Sequence, residues 1–198
     1  MNNMKKALRL AVILSAFLAL YSCNPVEDDS RSASMLLVDN ILGTDAQGKS
    51  GNFLQSDVQR TTGSVRADSA TATLRVITVD PKPLLGISPY NDIVVTRYLV
   101  SYSRTDGKNV PGVDVPYPFE GSMSTVVKAG STASISFVIV REVAKMEPPL
   151  VRLVDVGAEQ VLTCTAKVEF YGNDTTGRTV KATGYLTIYF ANYADSGS

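Results

Sequence analysis

The sequence predicts an all-β chain, an antiparallel sandwich of two sheets with seven to eight strands. Three observations predict it. Long stretches alternate apolar and polar residues with a period of two. These stretches are rich in β-branched and aromatic residues and stop at Gly, Pro, Asn and Asp. No stretch of useful length carries a helical stripe. With 198 residues, 44% of them hydrophobic, the chain can build one domain with a substantial core.

The N-terminus is set apart from that pattern. Lys5, Lys6 and Arg9 precede the apolar run Leu10 to Leu20. The run has about half of the ~20 residues a spanning helix needs, so residues 1–22 read as an export signal. The run ends in Leu20-Tyr21-Ser22-Cys23, which resembles the lipobox of bacterial lipoproteins. That resemblance implies cleavage before Cys23, a diacylglyceryl group on its thiol and a fatty acyl chain such as palmitate on its amine. It implies the cell envelope as the location. Asn24, where an Asp would imply retention at the inner membrane, implies the outer membrane. Residues 1–22 hold three basic side chains (Lys5, Lys6, Arg9) and no acidic ones, so their removal turns a net charge of +0 into −3. Residues 23–33 are polar and acidic, with little to bury, and read as a flexible tether spanning roughly 30 Å at most.

The sandwich is expected over 34–192. Residues 34–42 are a short strand candidate, and 70–79, 93–104 and 132–140 are stronger ones. Segment 122–128 is a shorter candidate, 141–147 has room for one helical turn, and 150–155 is a further short strand candidate. The clearest pair follows. Leu162, Cys164, Ala166, Val168 and Phe170 share one face of 161–171. After the turn residues 172–177, Val180, Ala182, Gly184, Leu186, Ile188 and Phe190 share one face of the last strand, which predicts a long hairpin with one dry face. By its parity Cys164 is a buried small hydrophobe. Residues 193–198 read as a disordered tail.

The strand order resembles that of immunoglobulin-like and fibronectin type III-like domains. Arg97-Tyr98-Leu99-Val100-Ser101-Tyr102 on the third long strand carries the resemblance, with the final hairpin and its Tyr171-to-Gly177 turn. The inter-sheet disulfide and buried Trp of antibody domains are absent. The resemblance therefore implies an architecture and no particular function.

Composition narrows the chemistry. The chain has no histidine, which excludes Ser-His-Asp and Cys-His catalysis and His-ligated zinc. Balanced charge, with 19 basic and 19 acidic residues and no basic block, argues against a nucleic-acid partner.

Four groups of residues have the right types for a site. Gly43 to Ser50 satisfies G-x-x-x-x-G-K-[ST], in which Gly48, Lys49 and Ser50 would serve a nucleotide. The hairpin pattern around it favours a Gly-rich surface loop instead. An immunoglobulin-like order brings Asp80, Asn91 and Asp92 near Asn173 and Asp174, an oxygen-rich set suited to Ca²⁺ but also to turns. At the opposite end, Arg104, Arg141 and Lys145 are placed to pair with Asp106, Asp114 and Glu147, a network that would hold long loops. Tyr171, Tyr185 and Tyr189 face outward, as cross-strand pairs or as an aromatic strip for sugar or protein.

Together these features lead to an expectation. The chain is a membrane-anchored envelope lipoprotein without catalytic function, acting as a binding or assembly module: an accessory subunit of an envelope protein partner, or an adhesion-like domain. Calcium or carbohydrate binding is the alternative, and nucleotide binding through 43–50 a further one.

Overall fold

The computed structural model describes residues 32–193 apart from 46, 61, 81, 83, 85 and 157–159. Nine strands are present among the described residues: β1 (Ser34–Thr44), β2 (Ser50–Gly51), β3 (Phe53–Asp57), β4 (Asp68–Thr78), β5 (Ile93–Ser103), β6 (Phe119–Val127), β7 (Thr132–Val140), β8 (Leu162–Asp174) and β9 (Thr179–Ala191). They form a four-stranded sheet in the order β2-β1-β4-β7 and a five-stranded sheet in the order β3-β9-β8-β5-β6. The architecture is the expected all-β sandwich of two packed sheets. The two-residue β2 accounts for the strand beyond the expected seven to eight.

Two details correct the expectation. The sandwich is not wholly antiparallel, because β3 runs parallel to β9, with Leu54 opposite Ile188. Segment 150–155 is not a strand: Leu150–Leu153 form a 3₁₀ turn that buries Leu150 and Leu153. Their spacing of three matches the 3₁₀ repeat rather than the pleat. The helical turn expected in 141–147 is α1 (Glu142–Lys145).

The inward faces follow the alternation. Val95, Tyr98, Val100 and Tyr102 of β5 meet Cys164, Ala166, Val168 and Phe170 of β8 and Leu186, Ile188 and Phe190 of β9, all inside one core. Phe137 of the other sheet packs between Tyr98 and Phe170, at centroid distances of 5.1 and 5.3 Å and with edge-to-face angles. Such geometry suits aromatic quadrupoles. Tyr102 Oη donates to the Ile139 carbonyl at 2.6 Å, so its hydroxyl is satisfied while it bridges the sheets. Gly184 faces inward on β9, and Val38 and Ile41 of β1 occupy the space a Cβ would need there. The absent side chain lets the two sheets approach.

One end of the sandwich is closed by a buried ion pair. Lys145, 2% exposed, reaches from α1 to within 2.9 Å of Asp68 Oδ2 at the start of β4. Its Nζ also donates to the Asp57 carbonyl at the end of β3 (2.7 Å), and Ser56 Oγ donates to Asp68 Oδ2 at 2.6 Å. Burial pushes the Asp68 carboxyl above the ordinary carboxylate range, while the Lys145 ammonium and the Ser56 hydroxyl pull it back. Removing one partner of such a pair leaves the other charge buried and uncompensated, at about 3–5 kcal/mol, whereas apolar replacement of both is close to neutral. Lys145→Met should therefore lower the unfolding free energy by about 3 kcal/mol in urea titrations. Lys145→Met combined with Asp68→Leu should recover most of that loss.

Candidate functional site

Strand directions divide the loops into two groups. At the proximal end lie the start of β1, the β4–β5 loop (79–92), the β6–β7 turn and the β8–β9 turn. At the distal end lie the β1–β2 turn, the β3–β4 connection, the β5–β6 loop (104–118) and the β7–β8 crossover (141–161). Cys23, the expected acylation site, lies outside the described residues.

The expected calcium residues do gather at the proximal end. Ile93 pairs with Asp174 and Val94 with Asn173, which sets Asp92 beside the final turn, and Thr175 Oγ1 donates to the Pro89 carbonyl at 3.3 Å. Asp80, Asn91 and Asp174, however, close their own stretches of backbone, and Asp92 bonds across to the β6–β7 turn. Asp80 Oδ1 accepts from the Lys82 amide (2.9 Å), Asn91 Oδ1 from the Ser88 amide (3.2 Å) and Asp92 Oδ1 from the Ala129 amide (2.9 Å). Asp174 Oδ1 accepts from Thr176 N, Thr176 Oγ1 and Arg178 N at 2.7 to 2.9 Å. Among the described residues, no three acids, cysteines or histidines converge as metal ligands do. Turn bonds of this kind account for Asp80, Asn91 and Asp174, while Asp92 ties the start of β5 to the β6–β7 turn.

The segment 43–50 is a hairpin turn. Gly43 pairs with Gly51 and Thr44 with Ser50. Asp45 Oδ1 accepts from the Gln47 and Lys49 amides at 3.0 and 2.7 Å, and Gly48 N donates to the Asp45 carbonyl. A phosphate loop needs free amides at the start of a helix. Here the amides are bonded to Asp45, and a strand follows where a helix would be required. Gly48, Lys49 and Ser50 therefore form the surface loop rather than a nucleotide cradle.

The outward face of the five-stranded sheet carries cross-strand pairs. Arg97 lies 4.0 Å over the Tyr171 ring and 3.3 Å from Glu120, while Glu169 takes Lys167 at 3.0 Å and Lys181 at 3.1 Å. Tyr189 meets Phe53 edge-on at 5.9 Å. Tyr185 alone of the three outward tyrosines projects freely, at 62% exposure, so the three do not form one continuous strip.

The distal end differs from the expected network in its pairing. Arg104 does pair with Asp106, Nε to Oδ1 at 3.1 Å, and their bond holds the Asp106 carboxyl below the ordinary range. Asp114 Oδ2 accepts from the Val110 amide beside Pro111. Lys145 does not join Asp106, Asp114 or Glu147, because it is drawn inward to Asp68. Arg141 stacks on Phe119 at 4.8 Å, and Glu147 offers its carbonyl to Val151 N. Asp68 and Ser56 escaped the sequence reading because only the meeting of β3, β4 and α1 gives Lys145 a buried partner.

These bonds brace loops that carry exposed apolar side chains. Val110 accepts from the Val113, Asp114 and Val115 amides, and Gly112, at φ +75°, lies under the Tyr117 ring where a Cβ has no room. Val110, Val113 and Tyr117 on this loop, with Val143 and Met146 around α1, are exposed. A rigid loop with exposed apolar residues can contact a partner with little ordering cost. Cys164, by contrast, is buried and unpaired, and burial pushes its thiol up to about 11, which makes it a poor nucleophile.

The geometry defines a class, an all-β sandwich with braced loops at each end. No protein-family model matches the chain, and no curated protein matches it.

Asp174 supplies a pH test of this end-loop bracing. Burial pushes its carboxyl up, but the bonds from Thr176 and Arg178 outweigh burial and hold it below its ordinary value. A depressed folded-state pKa gives stability that is present above the unfolded value of about 3.9 and lost as pH falls through the folded value. Asp174→Asn should lower the melting temperature at pH 7, and the gap to the wild type should narrow as pH falls below about 4.

Proposed function

We propose that this protein is a lipid-anchored module of the bacterial cell envelope, at the outer membrane, that binds or assembles with another envelope protein. The sequence at residues 10–23, an apolar run ending in Leu-Tyr-Ser-Cys, supports the anchor. The observation that carries the binding role is the distal end, where Val110, Val113, Tyr117, Val143 and Met146 are held out on braced loops. Strands of 13 residues, at about 3.3 Å per residue, raise that end about 40 Å above the end where the tether joins. A docking surface at that height clears the lipid headgroups. Lipidation at Cys23 keeps the module concentrated near membrane partners, which strengthens even a small interface.

A labelling and cross-linking experiment tests both halves. An alkyne fatty acid fed to the native host should label the wild-type protein and not Cys23→Ser, which should leave the membrane fraction. A photo-crosslinking residue replacing Val113 or Met146 should capture one recurrent envelope protein at near-stoichiometric yield. The same probe replacing Thr183, on the solvated sheet face, should not. Capture of only abundant bystanders from every position would defeat the binding role.

A further inference from the structure

The proximal end has an apolar surface of its own, beside the point where the chain enters β1. Ser34, the first residue of β1, pairs with Thr78, the last of β4, and the Val79 amide donates to the Ala33 carbonyl at 2.9 Å. The chain arriving from Cys23 therefore joins the sandwich against the first residue of the β4–β5 loop. In that loop Leu84 is 99% exposed and Tyr90 74%, with Val79 and Ile87 more than half exposed. Met35 and Ile77, a cross-strand pair at the same end, are also exposed, as is Val126 on β6.

Both ends of the loop are fastened by hydrogen bonds. Its start is closed by the Thr78 hydroxyl on the Asp80 carbonyl (2.6 Å) and by Asp80 on the Lys82 amide. Its end is the Pro89–Asn91 3₁₀ turn, tied by Ser88 and Asn91 to each other and by Thr175 to Pro89. Ile87 leans over Gly130 of the β6–β7 turn. Anionic Asp80, Asp92 and Asp174 are matched in number by cationic Lys82, Lys128 and Arg178 at this end. Apolar side chains, not net charge, are its distinguishing chemistry.

We infer that this end is a membrane-contact surface, with Val79, Leu84, Ile87 and Tyr90 entering the interfacial layer of the bilayer that holds the Cys23 acyl chains. The inference rests on the lipid-anchor reading above. Ten residues separate Cys23 from Ser34. Even fully extended, a chain of that length reaches only about 30 Å, so the loop is kept beside the headgroups at a high effective concentration. Tyr90 has the ring-and-hydroxyl character favoured at the membrane–water boundary. The contact fixes orientation: the acyl chains tie one point, the loop supplies a second, and the distal end is turned away from the membrane. Because charge contributes little, the contact should form on zwitterionic lipid and persist in high salt.

The chain has no tryptophan, so a single introduced one reports unambiguously. The mature acylated protein carrying Tyr90→Trp is reconstituted into phosphatidylcholine vesicles containing lipid brominated near the headgroup end of the acyl chain. The expected result is blue-shifted emission, quenched severalfold by the bromines and unchanged in high salt. Val113→Trp at the distal end should stay unquenched, and adding Leu84→Ser and Ile87→Ser to Tyr90→Trp should abolish the quenching while the protein still floats with the vesicles. These positions are exposed, and equal melting temperatures would verify that the fold is intact. Water-like, unquenched emission from a chain whose mass shows acylated Cys23 overturns the membrane contact and leaves the anchor standing. Emission that shifts only on adding envelope protein hands the loop to a protein partner and likewise overturns it. A chain whose mass shows no acyl group at Cys23 defeats the anchor reading, and the inference falls with it.

Discussion

A buried lysine must be answered by a full set of partners, and that constraint organises one whole end of this sandwich. Lys145 sits on a single helical turn in the β7–β8 crossover, yet its partners are a carboxylate at the start of β4 and a carbonyl at the end of β3. Those strands belong to different sheets. The ammonium therefore draws together the two layers and the crossover at one point, and Ser56 completes the shell around Asp68. The Tyr102 bond to Ile139, also between sheets, lies at the same end. In a low-dielectric site the penalty for leaving any of these groups unpaired exceeds the net gain from pairing them, so the cluster acts more on specificity of arrangement than on total stability.

With that end closed, the sandwich becomes a rigid spacer with two unlike ends. Its long β8–β9 hairpin spans the full height and packs on β5, β3 and, through Gly184, β1. The outward sheet face between the ends is covered with cross-strand pairs such as Arg97 with Tyr171 and Glu169 with Lys181. Exposed pairs of this kind contribute only ~0.2–1 kcal/mol each. They keep the face solvated. Most of the exposed apolar side chains instead lie in the loops at the two ends, where Asp, Asn and Thr side chains bond to backbone. On the reading proposed here, one end meets lipid and the other meets protein.

Much of this was legible in the residues themselves. The period-two pattern of 161–190 places each inward residue of β8 and β9 correctly, because a strand buried on one face must alternate. The burial of Cys164 follows from its parity, and the proximal grouping of Asp92 with Asp174 follows from strand order. Other elements were illegible for definite reasons. Strand β3 has only Leu54 and Ser56 facing inward, too few to show a period, and it is a strand because β9 offers an open edge. Residues 150–153, Leu-Val-Arg-Leu, are apolar enough to pass for a strand, but their burial repeats at three. Glu147 is two residues from Lys145, and strand order brings the loop of Asp106 and Asp114 to the same end, which makes these acids the natural partners to expect.

The sequence by itself therefore determined the class of the fold, its long strands and the faces they bury, since alternation and turn residues are local properties of the chain. It also supplied the argument for an anchor at Cys23, which rests on residues 10–23 alone. Only the tertiary structure decided that Lys145 pairs with Asp68, that β3 joins β9 in parallel, and that Gly48-Lys49-Ser50 closes a hairpin. It alone brought the exposed loop of Leu84 and Tyr90 to the end where the tether joins. The hairpin is local, closed by bonds two to four residues apart, and the geometry decided only that a strand and not a helix follows it. The other three depend on which segments distant in sequence are brought into contact, and that is set by closure of the whole core rather than by any local pattern.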